Sequence, residues 1–545
     1  MAELFTGSNT FNQSPPYEDV DLFASDRPLV DAVTGNGAKP HHPALSEFGR
    51  HWGSAAMFER GRLANTHPPQ LDSDKAQDVV AFHRAYDDLM AESMAIGLHA
   101  MTWSDDGSPA PAPAQVARAA RFYMAAQVET GHLCPITMTR AAVGALVAEP
   151  PLLAQLMPKI ASRQYDSSFR PWQQKSGMTL GMGMTERQGG TDVRANTTKA
   201  VPVGDGYELT GHKWFMSAPM SDAFLVLAQA PGGLTCFLLP RFRPDGSINA
   251  LHIQRLKDKL GNRSNASSEV EFGCAFALRV GEEGRGVRTI LQMVQLTRLD
   301  CAIASAGLMR MALAQALHHA RHRGVFGKKL IEQPLMRAVL ADMALDVEAA
   351  TSVVMRLCRS FDLAASDTRE AARARLLTPA VKYWVCKTAP ALVYEAMECL
   401  GGNGYVEDSL LPRLYREAPV NAIWEGSGNV MCLDVLRAFA REPEASRSVL
   451  TELGRETRAL PDAQAAMRVI ETALTQSDAE PYARRPVERL AVLAATAALQ
   501  VSAPVLVTEA FAGTRLGARG GASLGTALLS ASDTAEFLDR ALPGS

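Results

Sequence analysis

Two stretches of the chain concentrate groups that could meet a polar ligand. Gly181-Met-Gly-Met-Thr-Glu-Arg-Gln-Gly-Gly-Thr-Asp192 gathers glycine, hydroxyl and backbone donors, and glycine lets a backbone approach a ligand closely. It is not a dinucleotide fingerprint, because the spacing differs and no strand–turn–helix context precedes it. Taken alone it reads equally well as a turn-rich connection. Ile423-Trp-Glu-Gly-Ser427 sets one carboxylate, Glu425, beside an indole. Held away from water, that carboxylate would have its pKa raised toward a value useful for proton transfer; exposed, it would be an ordinary cap or surface partner. Three more clusters accompany these: Gly211-His-Lys-Trp-Phe-Met-Ser217, Arg323-Gly-Val-Phe-Gly327 and Gly401-Gly-Asn-Gly-Tyr405. Singly, Trp214 could be sheet core, Arg323 a solvated helix end and the glycines from 401 a helix C-cap. His318 and His322 have helical i,i+4 spacing, but no nearby carboxylate completes a ligand set, so no metal is expected.

The elements that position these groups change character along the chain. Residues 1–75 are rich in Pro, Asn, Asp and Gly and read as an irregular N-terminal arm. Residues 76–180 have helical periodicity, with Val79, Val80, Phe82, Tyr86, Leu89 and Met90 on one pattern. Residues 181–280 turn to short β-branched or aromatic runs (207–215, 224–227 and 235–239) and predict an antiparallel β unit. Residues 281–440 return to long helices over 309–323, 335–357 and 380–400, the last with a kink expected at Pro390. Residues 441–545 form an additional Ala- and Leu-rich helical segment, and the fold class is α+β, mainly α.

Composition narrows the function classes. With 545 residues, 47% hydrophobic and 21% charged, the chain excludes global disorder, collagen and a disulfide scaffold. Fifty-five basic against 58 acidic residues leave a net charge of −3, so a nucleic-acid role must rest on a local patch. The eight cysteines include no C-x-x-C pair and read as reduced thiols in a cytoplasm. The N-terminus lacks a basic region followed by an apolar stretch, and the longest apolar run, 490–507, is broken by Gln500 and Pro504. Neither a signal peptide nor a membrane span is expected.

The five glycine- and aromatic-rich clusters, in this order and spacing, resemble the acyl-CoA dehydrogenase superfamily. Within it, Cys134-Pro-Ile-Thr-Met-Thr139, Met182–Gly190, Leu256-Lys-Asp-Lys-Leu-Gly-Asn-Arg-Ser-Asn-Ala266 and Trp424-Glu-Gly-Ser-Gly-Asn429 look most like the AidB-type alkylation-response branch. The resemblance implies an N-terminal helical domain, a central β-barrel-like domain, a C-terminal four-helix bundle and bound FAD. It places Met182, Gly183, Met184, Thr185, Gly190 and Thr191 along the flavin or acyl pocket, and Trp214, Phe215, Met216 and Ser217 over the isoalloxazine. Arg323 and Phe326, with Gly401 and Gly402, would reach the FAD of a neighbouring subunit, which implies a homotetramer. Ile423, Trp424, Ser427 and Asn429 would flank the cofactor, and Glu425 takes the catalytic-base position.

Dehydrogenating an acyl thioester needs a base for the acidic α-hydrogen and an acceptor for the β-hydride. Three positions depart from the family pattern: Arg187 for Pro, Met216 for Thr and Pro334 for Gln. Loss of a hydroxyl at 216 predicts blunted flavin reactivity, hence weak, isovaleryl-CoA-type activity; the alternative is an ordinary short branched-chain acyl-CoA dehydrogenase. Residues 441–545 hold eleven Arg and no Lys against thirteen Asp plus Glu. Bulk charge therefore argues against a nucleic-acid domain, and ordinary solvated helix faces are the plain alternative. The AidB-type resemblance implies double-stranded DNA binding there, with Arg437, Arg441, Arg484, Arg485, Arg515 and Arg519, and also Arg489, as candidate phosphate contacts.

Overall fold

The computed structural model describes residues 12–72, 78–476 and 478–543; the stretch in which no targeting segment is expected lies mostly outside them. Residues read as an irregular arm carry three helices: α1 (Arg27–Gly35), α2 (His42–Trp52) and α3 (Ala55–Thr66). The prolines that suggested loops lie in the first turns of α1 and α2, where a missing N–H is no loss. Asp26 caps α1 by accepting from Leu29 N at 3.1 Å. The same carboxylate pairs with Arg310 at 2.9 Å and accepts from Tyr123 Oη at 3.0 Å, which staples the N-terminal helices to the rest.

A two-stranded ribbon, β1 (Gln70–Leu71) and β2 (Val80–Ala81), takes Val80 out of the expected helical pattern, and α4 starts only at Arg84 and runs to Ala95. There follow α5 (Ala114–Val128), α6 (Leu133–Leu146) and α7 (Pro150–Ile160). The β unit comprises β3 (Leu180–Gly183), β4 (Lys199–Val203), β5 (Gly206–Ser217), β6 (Ala223–Ala230), β7 (Gly233–Pro240), β8 (Leu251–Leu256) and β9 (Ser267–Val280). Pairings β4–β5–β9–β7–β6–β4 close a barrel, with β8 on the free stretch of β9. The barrel is not wholly antiparallel, since β3 and β4 both run parallel to β6. Closure removes exposed sheet edges, and alternate residues such as Phe224, Val226, Phe237 and Leu239 fill the interior.

Helix α8 (Gly286–His322) is one uninterrupted 37-residue element and packs against α5 and α6 on one side and α9 (Pro334–Leu363) and α10 (Thr368–Cys399) on another. Between α8 and α9 lies the hairpin β10 (Gly324–Val325) and β11 (Lys328–Lys329). Helix α10 continues through Pro379 and Pro390. The chain then forms α11 (Leu411–Glu417), α12 (Gly428–Arg441), α13 (Pro443–Glu456), α14 (Pro461–Thr475), α15 (Arg484–Ser502), α16 (Val505–Phe511) and α17 (Ala531–Ala541). The segment beyond 441 shares the bundle's hydrophobic core, with α15 against α9 and α10 and α17 against α9. Buried ion pairs reinforce the seam: Arg373–Glu456 at 2.8 Å and Arg540–Glu348 at 2.5 Å. No helix among the described residues is long and apolar enough to cross a membrane.

Close approach of α8 to α5 rests on Gly307, where an added Cβ would lie 2.5 Å from the Tyr123 carbonyl oxygen. Helix propensity alone would make Gly307→Ala stabilising by about 1 kcal/mol. Because the obstructing atom is backbone, the substitution should instead destabilise by about 1–3 kcal/mol. A thermal melt followed by circular dichroism checks the sign.

Candidate active site

Glu425 lies in the loop before α12 with φ +57°, a left-handed conformation that costs a residue with a Cβ about 1–2 kcal/mol. Buried cations hold the loop there. Lys382 of α10 donates to the carbonyls of Trp424 at 2.9 Å and Gly426 at 2.8 Å. Arg298 of α8 donates from Nε to the Glu425 carbonyl at 3.0 Å and pairs with Asp434 at 2.7 Å. The carboxylate itself receives the Thr297 hydroxyl at 2.6 Å. Lys382 is thus committed to backbone oxygens, and Arg298 to one backbone oxygen and the Asp434 carboxylate. Burial raises the Glu425 pKa above the usual carboxylate value, opposed by the Thr297 hydroxyl and by the Lys382 and Arg298 charges. A carboxylate so placed is a poised proton acceptor.

The barrel carries the glycine-rich run and the aromatic cluster read from the sequence. The Gly181–Asp192 run is anchored by Glu186, which accepts from the backbone N–H groups of Thr197 (2.6 Å) and Thr198 (3.1 Å), from both their hydroxyls and from Lys213 Nζ at 2.9 Å. Burial works to raise the Glu186 pKa, but these donors and the Lys213 charge outweigh it and hold the carboxyl well below its usual range. This leaves Met182, Met184 and Thr185 half-buried and Gly190 and Thr191 exposed, while Gly183 turns into the barrel. Trp214 N donates to the Thr185 carbonyl at 2.8 Å, which joins the run to β5.

On β5 the register slips between Lys213 and Met216, placing two residues opposite one of β9. Such a bulge re-aims side chains, and here Trp214 and Phe215 both face outward, Phe215 at 51% exposure. Lys257 Nζ lies 3.7 Å from the Trp214 ring centroid. Met216 departs from expectation: its side chain is fully buried in the barrel core and cannot cover a ring in the cleft. The hydroxyl at this wall belongs to Ser217, which bonds Ser267 Oγ at 3.1 Å and lies beside the Cys134 thiol. The ground for expecting blunted reactivity, a hydroxyl missing at 216, therefore falls away. Cys134 is pushed up to about 12 by burial, with Lys259 opposing and Glu425 adding to the rise. It is a neutral thiol near the carboxylate.

Other expected residues lie at the periphery. Phe326 and Gly327 have φ of +50° and +78° in the two-residue turn joining β10 and β11, the backbone of a type I′ hairpin. Phe326 is 98% exposed, and Arg323 donates to the Asn12 carbonyl at 2.6 Å. Gly401 and Gly402 have open space where a Cβ would stand. Ile423, Ser427 and Asn429 are exposed and Trp424 half-buried, its Nε1 donating to Asn421 at 3.0 Å.

The arginines converge only in part. Arg437 and Arg441 are exposed one turn apart on α12. Arg484 and Arg485 begin α15 and are exposed, with Arg484 Nε donating to Asn429 at 2.9 Å, at the start of α12. Arg519 lies apart and donates to the Glu509 carbonyl at 2.8 Å. Arg489 caps the carbonyls of Arg515 and Leu516. Arg515 departs from expectation: its guanidinium is committed to Asp342 at 2.5 Å and Asp346 at 2.8 Å, leaving no free charge for phosphate.

A cavity of about 430 Å³ opens beside this loop, lined by Trp103, Leu291, Leu296, Phe361 and alanines of α10, with Arg288, Arg298 and Arg375 among its polar groups. Thr297, Arg298 and Lys382, which sequence reasoning missed, sit inside long helices with no turn glycine to mark them. Their one signal was a charge or hydroxyl amid an apolar run, as in Leu296-Thr-Arg-Leu-Asp300.

Residues 12–167 match the adaptive response protein AidB N-terminal domain, 181–274 the acyl-CoA dehydrogenase middle domain and 284–440 the acyl-CoA dehydrogenase C-terminal domain. Closed barrel, long-helix bundle and carboxylate loop together define the acyl-CoA dehydrogenase fold. The chain belongs to the acyl-CoA dehydrogenase family, with an AidB-type N-terminal domain. Escherichia coli (strain K12) AidB is 52% identical over 445 residues, covering 79% of this chain and 80% of that protein. Caenorhabditis elegans ACDH-11, solved in complex with C11-CoA, superposes with TM-score 0.81 at 26% identity over 98% of this chain and 93% of that one. The Bacillus anthracis acyl-CoA dehydrogenase complexed with FAD shares the fold at 16% identity, TM-score 0.66, over 84% of this chain and 83% of that one. The family is FAD-dependent.

If Lys382 pins the carboxylate loop, Lys382→Met should leave two carbonyls without their charged donor and destabilise by about 3 kcal/mol. Amide exchange should accelerate across 423–428 ahead of the surrounding helices; unchanged exchange there would refute the pin.

Proposed function

We propose that the protein is an FAD-dependent oxidoreductase that dehydrogenates the CH–CH bond next to the carbonyl of a short branched acyl-CoA, with Glu425 as the base. The observation that carries this is a half-buried carboxylate whose pKa burial raises, bonded among the described residues to the Thr297 hydroxyl and close to the Cys134 thiol. The residues present fit the cofactor. Two outward aromatics offer a platform, Gly190 and Thr191 an open backbone edge, and Asn265 Oδ1 is a buried acceptor without a partner among the described residues. Met182, Met184, Thr185, Gly190, Thr191, Trp214, Phe215 and Ser217 would hold FAD, flanked by Ile423, Trp424, Ser427 and Asn429. Bound FAD supplies the acceptor for the β-hydride.

Glu425 takes the α-proton at its carboxylate, and Thr297 fixes that carboxylate's orientation. Arg298 and Lys382 keep the loop closed behind it. The cavity beside the loop suits an acyl-CoA, since apolar walls fit the thioester arm and Arg288 the anionic groups of CoA. Phe326, exposed at the tip of its hairpin, together with Arg323, Gly401 and Gly402, is suited to insertion at a neighbour's cofactor in a homotetramer.

A second activity belongs to the same reading. Arg437, Arg441 and Arg485 are exposed and form no ion pair among the described residues, and Arg484, also exposed, bonds Asn429 at the start of α12. This α12–α15 face suits double-stranded DNA, and the AidB-type domain supports a role in the cytoplasm in limiting alkylation damage, by shielding DNA or deactivating the agent.

Purified protein is expected to be yellow, and Glu425→Gln should keep FAD while losing turnover of isovaleryl-CoA by at least about a hundredfold. Because the base must be ionised, turnover should rise with pH through a value above the usual carboxylate range and then level; a rate already flat at pH 5 rejects the raised pKa. For DNA, replacing Arg437, Arg441, Arg484 and Arg485 by Gln should weaken duplex binding alike on unrelated sequences and reduce the salt slope by about one per arginine. Binding that ignores salt leaves the dehydrogenase alone.

A further inference from the structure

The proposed reaction makes no use of the 256–266 segment, yet that segment delivers a cation to the wall of the cleft. Lys259 Nζ donates to the Asn265 carbonyl at 2.5 Å and to Ser267 Oγ at 3.1 Å. Ser267 Oγ lies 3.1 Å from Ser217 Oγ, and Ser217 closes the wall beside Cys134. No ion pair neutralises Lys259 among the described residues. Its nearest opposing charges, Glu417 of α11 and Glu129 after α5, are engaged elsewhere. Glu129 accepts from Gly131 N, His132 N and Nδ1, Asn65 and Ser264, and Glu417 from Thr130 and Asn262 N. An enclosed ammonium without a counter-ion is unfavourable, and burial lowers the Lys259 pKa to about 8.

We propose that Lys259 is a positioning residue that acts through Ser267 on Ser217, turning the Ser217 hydroxyl into a strengthened donor toward the ligand in the cleft. An ammonium has only protons to give. Ser267 oxygen therefore accepts from Lys259, the Ser267 hydrogen goes to the Ser217 oxygen, and the Ser217 hydrogen is left to point outward. Each charge-assisted bond polarises the next. The inference rests on the FAD reading above, in which Ser217 faces the isoalloxazine. A ring that gains negative charge on reduction is then favoured both by the donor and by the unneutralised cation behind it. Glu417 and Glu425, both pushed above the usual carboxylate range by burial, and the Cys134 thiol also face this region. Variants compared at one neutral pH therefore separate the Lys259 effect from their titration.

The test is the midpoint potential of FAD bound to the full-length protein, read from flavin absorbance against a reference dye. Lys259→Met should lower it by about 30 mV or more, a tenfold change for a two-electron couple. Ser267→Ala should lower it by a smaller amount, and Lys259→Arg should restore most of the loss. Should Lys259→Met fail to fold, Ser267→Ala carries the test, since it removes one oxygen and no charge. A wild-type potential in Ser267→Ala overturns the relay, whatever Lys259→Met does. Failure of the wild-type protein to take up FAD is a separate outcome: it removes the functional reading, and the relay, deprived of its acceptor, falls with it.

Discussion

A half-buried carboxylate on a left-handed backbone has to be held by something, and at Glu425 the holding is done through the backbone. Had Arg298 or Lys382 paired directly with the Glu425 carboxylate, Coulomb attraction would have favoured the ionised form and pulled the pKa down. Each instead grips carbonyl oxygens of residues 424–426, so the loop is fixed while the carboxylate bonds, among the described residues, only the Thr297 hydroxyl. The left-handed backbone at Glu425 persists because this gripping over-determines it. Because the gripping groups come from the middles of α8 and α10, the site exists only once those helices are packed, and their packing is what the remaining architecture secures.

The α8–α10 pair is secured from several sides by charge as well as by apolar burial. Asp26 joins the N-terminal helices to Arg310, Arg118 and Arg140 share Asp300 inside α8, and Arg373 of α10 meets Glu456 of α13. Buried ion pairs add little net stability over apolar replacements, but breaking one is costly, so they specify which helix lies against which. The same economy explains the C-terminal arginines. Arg515 and Arg540 neutralise acids on α9, so a composition that suggested phosphate binding serves in part to dock an additional helical layer.

Periodicity and turn residues made the order of helices, barrel and helices legible, because each depends on neighbours in sequence. Errors fell where local signals were ambiguous. Prolines at 28 and 43 start helices, though from sequence they read as loop markers, and Val80 belongs to a two-stranded ribbon. The glycine-rich clusters and Glu425 were recognisable as a set. Their supporting groups were not, since Thr297 and Glu425 stand 128 residues apart and nothing in either neighbourhood announces the other. The Met216 misplacement has the same origin. A bulge that shifts side-chain facing by one residue is set by the register between β5 and β9, and no spacing within β5 reveals it.

That one-residue shift decides how the barrel meets the bundle. In a regular strand, residues 214 and 216 would share a face, and the buried methionine at 216 would then draw Trp214 into the core with it. With the extra residue accommodated on β5, Lys213 and Met216 both point inward, where Lys213 neutralises Glu186 and Met216 fills the interior. Trp214, Phe215 and Ser217 are left for the cleft. The inward pair therefore does more than stabilise the barrel. By satisfying Glu186, Lys213 also anchors the Gly181–Asp192 run, so the loop and the aromatic face that bound the cleft are set by one buried contact. The Glu425 loop is set by other buried groups, Arg298 and Lys382 in the helical core, so the chemistry proposed for the site depends on barrel and bundle each being packed.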